Sequence, residues 1–471
     1  MKKTKRLTVL YILLLIAFSF LLMTFLNKSY DYFWHIKAGQ YMFKNNIILT
    51  HDVFSWIVQG KYWISHEWLF EVIIYGLKIV FGNIHGLIYV FINILLLSVI
   101  LFYTNKKEYL KNIPFSLLWI SLMMIFIGFI QVRPHLISYN LIALTIYLLY
   151  DLYKNKDSNK IYLVPILSII WSNVHGGSSN LVYILTIIFL VSGLFKFSYK
   201  KIESTRLNKK QIQKYITVII LCLVGICINP HGLKMLIYPY QNIMNNTMLN
   251  SIAEWQPTNF SNLSHIPYLL LIVIVIFTYL FSNKKIRLID FLLIGFSIVL
   301  GLKSIRFWPY IYIISTYNIF YYINKRKLDK GTDYILILLI IIILLLGIFN
   351  LKHLNKTNHI KVIDNKAINY LKSKKPKRLY NYYDYGGYLV YKDIKVFIDG
   401  RADLYSEYNY KDYLDISRLN NNYNNLIKKY NFDYYIIPKK IKLNKYLSNS
   451  NKYKVEYKDN KIIIYKNIEK D

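Results

Sequence analysis

The chain has 471 residues, 55% of them hydrophobic, and a formal net charge of +34 at pH 7. An excess of Lys and Arg this large commonly marks a nucleic-acid binder. Here the basic residues crowd short connections between long apolar runs, where they set membrane topology, so nucleic acid is excluded as the partner. A soluble fold is excluded by uninterrupted apolar runs such as 336–348. Hydrocarbon offers backbone groups no water, so such runs read as spanning helices. The two cysteines, Cys222 and Cys227, share one apolar run, which leaves no disulfide framework.

In chain order the hydropathy predicts about eleven spans, at 7–26, 84–104, 115–131, 136–153, 161–174, 180–197, 215–229, 266–281, 288–302, 306–323 and 333–350. The first has a basic flank and no small-residue cleavage site, so it reads as a retained helix. Connections 1–6, 105–114, 154–160, 198–214, 282–287 and 324–332 carry 23 Lys/Arg, against 9 in the longer alternate connections. That bias puts the N-terminus in the cytoplasm and the C-terminal region outside. All ten histidines then fall on the outer side: His35, His51, His66, His85, His135, His175, His231 and His265 near the alternate connections, His353 and His359 beyond the last span. Trp68–Phe81 reads as an amphipathic helix on the outer surface, with Glu67 and Glu71 on its polar side.

From about residue 355 the apolar runs shorten to strand length: 378–383, 388–391, 395–399 and 433–438. Segments 453–457 and 461–465 flank an Asp459-Asn460 turn and predict a hairpin. Segments 367–372 and 408–430 read as helices. The fold class is therefore an α-helical polytopic membrane protein with a C-terminal extracytoplasmic α/β domain. The division falls between 1–354 (first outer loop 27–83) and 355–471.

The first outer loop is richest in chemistry. Asp31 and His35 share a helix face if the chain stays helical. A carboxylate there can take a proton from a hydroxyl and activate it as a nucleophile. Asp52 or Glu67 can bind a divalent metal or hold an imidazole in one tautomer. Trp34, Trp56, Trp63 and Trp68 suit a sugar-stacking platform and equally an interfacial belt. His66 and Glu67 form a further acid–imidazole pair. The other outer connections hold Gln131-Val-Arg133-Pro-His135, Asn173-Val-His175-Gly-Gly-Ser178, Asn229-Pro-His231-Gly232, Glu254-Trp255-Gln256-Pro257 and Lys303-Ser-Ile-Arg306. Pro, Gly, Asn and Ser explain such loops as helix punctuation. Punctuation does not require Arg133, His135, His175, His231, Lys303 and Arg306, which together make candidate ligands for a lipid phosphate. In the C-terminal region, Asp399 and Arg401 are expected to pair with each other or with Asp403, or to contact an acceptor.

Four motifs then count together: Asp31-x-x-Trp34-His35-x-x-x-Gly39, Asp52-x-Phe54-Ser55, His66-Glu67-Trp68-Leu69 and Phe397-x-Asp399-Gly400-Arg401-x-Asp403-x-Tyr405. With the span layout they resemble the GT-C superfamily of integral membrane glycosyltransferases, and within it a bacterial set. The resemblance implies a multi-pass protein of the bacterial plasma membrane and an inverting sugar transfer. The donor is a polyprenyl-phosphate-linked sugar in the membrane lipid, and the acceptor an envelope glycan or protein. It maps the catalytic base to Asp31 and an assisting acid to Asp52. The chain departs from protein mannosyltransferases, because Tyr32 replaces the second acid of an adjacent pair. It also lacks a sequon-reading motif like that of oligosaccharyltransferases. No cofactor is required by this reading, and a divalent metal stays open. Two rival classes remain: a transporter or flippase of a lipid-linked or anionic solute, which favours charges inside spans and repeat symmetry, and a non-catalytic envelope scaffold.

Overall fold

A computed structural model describes residues 2–27, 29–110, 112–245, 249, 252–323, 332–357, 362–406 and 408–470. Contacts divide the chain into two compact units. The first comprises Met1–Asn27, Phe81–Gln241 and Ile252–Asn358, and the second Lys28–Val80, Asn242–Ser251 and His359–Asp471.

The first unit is a helical bundle. Each of the eleven apolar segments forms helix over most of its length. Among the described residues five stretches are long and apolar enough to cross a membrane: Lys5–Met23, Trp68–Lys106, His135–Lys154, Leu263–Leu280 and Asp333–Lys352. Eleven full-length spans are therefore not observed. The difference lies in length. Ile113–Ser121 continues as a 3-10 turn to Phe129, and Val164–Val174 and Leu181–Ser192 run for only 11 and 12 residues. The helices start where local chemistry starts them. Pro sits in the first turn of Ile113–Ser121, Val164–Val174, Ile266–Leu280 and Trp308–Tyr322, where its missing N–H costs nothing. Asn208 and Gln211 close a reciprocal capping box on Lys209–Ile226. The stretch Trp68–Lys106 is broken at Gly82, whose φ is +56°, into α3 (Trp68–Phe81) and α4 (His85–Tyr109).

The basic connections meet one another. Strands β1 (Phe197–Tyr199), β2 (Ile202–Ser204) and β3 (Ile286–Arg287) form one small sheet, joining connections 198–214 and 282–287. Lys214 Nζ donates to the Asp157 carbonyl at 3.0 Å, and Arg6 pairs with Asp333 at 3.1 Å. The alternate connections also meet one another. Thr258 Oγ1 donates to the Gly301 carbonyl at 2.7 Å, and Asn173 Nδ2 to the Ile228 carbonyl at 2.9 Å. Basic connections are thus seen in contact with basic ones, and alternate connections with alternate ones. Connection 324–331 lies outside the described residues, as do His359 and the side chain of His353.

The second unit is built on a four-stranded sheet, ordered β4 (Leu379–Asn381), β5 (Tyr434–Pro438), β7 (Ile462–Asn467), β6 (Tyr453–Lys458). β4 and β5 are parallel, and the other pairs antiparallel. The β6–β7 hairpin is as expected, and Asp459 Oδ1 accepts the Lys461 and Ile462 amides at 2.7 and 2.9 Å. Three expectations fail. Segment 388–391 is helix, part of Tyr383–Tyr391. Segment 395–399 makes only an isolated bridge, Ser55 to Val396. The helix expected over 408–430 is two, Tyr410–Arg418 and Tyr423–Tyr430, divided after Leu419 at φ 56°. Loop 46–66 packs into this unit. Trp56 stacks on Phe397 with ring centroids 5.6 Å apart and donates to the Leu379 carbonyl at 3.0 Å. α2 (Asp31–Asn45) lies on Tyr383–Tyr391, with Phe33 edge-on to Tyr388 at 4.9 Å.

Candidate functional site

Two groups of candidate residues emerge, one in each unit. In the second unit, Asp31 opens α2 and is half-buried. Trp34, one turn later, donates its indole N–H to Asp31 Oδ1 at 3.3 Å. Gly400 packs against the same carboxylate so closely that a Cβ there would fall on Asp31 Oδ1. The residues on either side of Gly400 explain how that turn is held. The Arg401 guanidinium bonds Asp52 Oδ1 at 2.6 Å and Asp399 at 2.9 and 2.7 Å, and the Tyr405 hydroxyl donates to Asp399 Oδ2 at 2.9 Å. It also stacks near Trp63 and Phe54, 4.9 and 5.2 Å from their ring centres. Asp52 in turn accepts Ser55 N–H and O–H at 3.0 and 2.6 Å. Burial would push the Asp52 carboxyl up, but the Arg401 charge and the Ser55 bonds outweigh it and hold it below the usual carboxylate range.

This geometry revises several expectations. The side chains of Asp52, Asp399 and Arg401 are fully buried on one another and hold the turn at Gly400 in place. Asp399 and Arg401 pair as the sequence suggested; Asp403 instead faces His66, 4.0 Å from its Nδ1. Trp34 and Trp63 are buried, so neither offers a free stacking face. Glu67 and Glu71 do not form a solvated face of α3. Both are buried, flanking His35: Glu67 Oε2 lies 3.6 Å from Nε2 and Glu71 Oε1 3.5 Å from Nδ1. Gly39 allows this, since the Glu71 carbonyl occupies the place of its missing Cβ. Glu67 also faces His66 Nε2 at 3.3 Å. The result is a row of neighbouring acids and imidazoles, Glu71–His35–Glu67–His66–Asp403, with approaches of 3.3 to 4.0 Å. Glu71 was missed as a member because nothing in the sequence shows which face of α3 is covered, and Asp403 because its partner His66 lies far away along the chain.

For His66, burial alone would lower the imidazole pKa; the Glu67 and Asp403 carboxylates outweigh it, and the pKa is raised. A raised histidine contributes stability that is fully present below the unfolded value of about 6.5 and is lost as pH rises through the higher folded value. Thermal stability of the second unit is therefore expected to fall across that window, and His66→Gln should flatten this part of the profile. An unchanged slope in the variant counts against the charged network.

In the first unit, Arg133 Nη1 bonds Glu254 Oε2 at 2.8 Å, and the Arg306 guanidinium lies 4.9 Å from the Trp255 ring centre. Burial would raise the Glu254 carboxyl, but Arg133 first, then Arg306 and His135, bring it below its usual range. Arg133 thus already has a protein carboxylate where a lipid phosphate was expected. His135 Nε2 donates to the Phe129 carbonyl at 2.7 Å. His175 Nδ1 lies 2.7 Å from Ser138 Oγ. His231 is buried, its amide donating to Asn229 Oδ1 at 2.7 Å. These three histidines fix the loop ends of helices. Lys303 is exposed at the end of Leu288–Lys303. Glu254 and Trp255 complete the arginine pair, and their only advance signal was the polar Glu-Trp-Gln-Pro run. Among the described residues no group of three or more His, Cys, Asp or Glu side chains is arranged to hold a metal ion.

No protein-family model and no curated protein sequence matches the chain. Solved structures do resemble it. Archaeal oligosaccharyltransferase AglB from Archaeoglobus fulgidus, in complex with an inhibitory peptide and a dolichol-phosphate, aligns over 93% of this chain and 70% of its own, with a TM-score of 0.54 and 11% identity. The apo oligosaccharyltransferase of the same organism aligns over 92% and 69%, with a TM-score of 0.50 and 10% identity. Its form tethered to an acceptor peptide containing the NVT sequon aligns over 93% and 69%, with a TM-score of 0.50 and 11% identity. At such identities the likeness is one of fold: a helical membrane part followed by a C-terminal α/β part.

Proposed function

We propose that this protein is a GT-C-type membrane glycosyltransferase that moves a sugar from a polyprenyl-phosphate carrier to an acceptor hydroxyl on the extracytoplasmic face. One observation carries the reading. A half-buried acid, Asp31, stands directly after the first apolar helix and is gripped by the Gly400 turn, in a chain whose fold resembles archaeal oligosaccharyltransferases. Asp31 takes the acceptor proton, and the acceptor oxygen attacks the anomeric carbon. The sugar–phosphate C–O bond breaks, and polyprenyl phosphate leaves with its electron pair. Attack opposite the leaving group inverts the anomeric centre. Arg306, within the first unit, is assigned to holding a lipid phosphate, which the fork of a guanidinium suits. Arg133, tied to Glu254, steadies the Trp255 loop on which Arg306 lies.

The reading is tested in proteoliposomes loaded with a polyprenyl phosphate bearing a radiolabelled sugar, with envelope extract as acceptor. The expected result is label on the acceptor together with free polyprenyl phosphate. Label that crosses the bilayer still attached to its lipid would point to a flippase instead. No change in the lipid, with label neither moved nor released, would point to a scaffold.

A further inference from the structure

The indole of Trp34 and the bare α-carbon of Gly400 enclose the Asp31 carboxylate from two directions. Trp34 Nε1 lies 3.3 Å from Asp31 Oδ1. A Cβ on Gly400 would meet that oxygen and would lie 2.8 Å from Trp34 Nε1. Neither residue is loosely held. The Trp34 ring lies on the His35 imidazole, centroids 3.7 Å apart, and meets Trp63 edge-on at 6.0 Å. Gly387 of helix Tyr383–Tyr391 packs against Trp34 as well: a Cβ there would lie 3.4 Å from Trp34 Cδ1 and 2.7 Å from the Tyr30 carbonyl. Gly400 is flanked by Asp399 and Arg401, whose fork of bonds fixes the turn.

We propose that Trp34 and Gly400 are the positioning residues of Asp31, the first by a donated hydrogen bond and the second by leaving room for one carboxylate rotamer. The inference rests on the reading of Asp31 as the base. It assigns the tryptophan of the Asp31-x-x-Trp34 motif and the glycine of the Asp399-Gly400-Arg401 motif to a single task. A methyl group at Gly400 meets side chains rather than backbone, the end of Asp31 and, at 2.8 Å, the Trp34 indole, so the carboxylate must turn away and the indole must shift with it. Preorganisation within a fraction of an ångström governs proton transfer far more than it governs binding. Both changes should therefore act on kcat.

The test uses full-length protein in lipid nanodiscs with 15N-labelled tryptophan indoles. Trp34→Phe identifies the Trp34 signal among the eight tryptophans. The expected result is that Asp31→Asn and Gly400→Ala shift that signal in the same direction, while the other indole signals stay in place. In the transfer assay, Trp34→Phe and Gly400→Ala should each lower kcat by about tenfold or more, with KM for the lipid-linked sugar little changed. A Trp34 signal indifferent to Asp31→Asn overturns the hydrogen bond. A rise in KM with kcat preserved overturns the positioning role. If instead Asp31→Asn transfers sugar normally while the indole signals move as expected, it is the assignment of the base that fails.

Discussion

Replacing Arg401 by alanine is expected to destabilise the second unit by about 3–5 kcal/mol, the largest stability loss of any single change considered. The magnitude follows from what stays behind. Asp52 and Asp399 are both fully buried and both bonded to this guanidinium, so its removal leaves two carboxylates without water and without their cation. The pair is weak evidence of net stabilisation in itself, because its own desolvation offsets much of its attraction. The expected loss comes from stranding the partners. Arg401→Lys should recover only part of it, since an ammonium cannot reproduce the two-sided fork. A low folded pKa at Asp52 adds stability that is present above the unfolded value of about 3.9 and is lost as pH falls through the lower folded value. Acid should therefore narrow the gap between wild type and Arg401→Ala. Protease resistance of a C-terminally tagged full-length protein, measured against temperature and pH, reads both effects. A variant within about 1 kcal/mol of wild type would show that the triad relaxes or hydrates freely.

The second large effect is on turnover. Asp31→Asn keeps size and hydrogen-bonding capacity but removes the proton acceptor. Loss of a positioned general base slows a reaction by roughly 10²–10⁴-fold. The variant should insert and melt like wild type, since the amide fills the same space and its oxygen can still accept the Trp34 N–H, and should transfer sugar at least 10²-fold more slowly. Substantial residual turnover with normal protein levels would move the role of base to another group.

What could be read in the sequence was what depends on local pattern. Apolar runs placed the helices, and the charge count anticipated which connections meet. Asp459-Asn460 between two alternating runs announced its hairpin, and the two-residue spacing of Asp399 and Arg401 suggested their pairing. The failures share one cause, because they depend on contacts between distant segments. Segment 388–391 has the Tyr, Leu and Val content of a strand, yet Gly386 and Gly387 bring it against Ile398, Asp399 and Trp34, and the tight packing is made by a helix. Glu67 and Glu71 look like a solvated face until His35 is found between them. The Asp52–Arg401 bond spans 349 positions, and no local rule reports a partner so far away.

That span has a consequence for how the protein is made. When Asp52 leaves the ribosome, the guanidinium that will neutralise it has yet to be synthesised. At roughly 5–20 residues per second the delay is about 20–70 s. Throughout it, loop 46–66 must wait as an unfinished segment while the helices between are threaded into the bilayer. A stop codon shortly before position 401 would accordingly cripple a region translated long before it, and the earliest sign of such a truncation should be cleavage near residue 55 rather than at the new terminus.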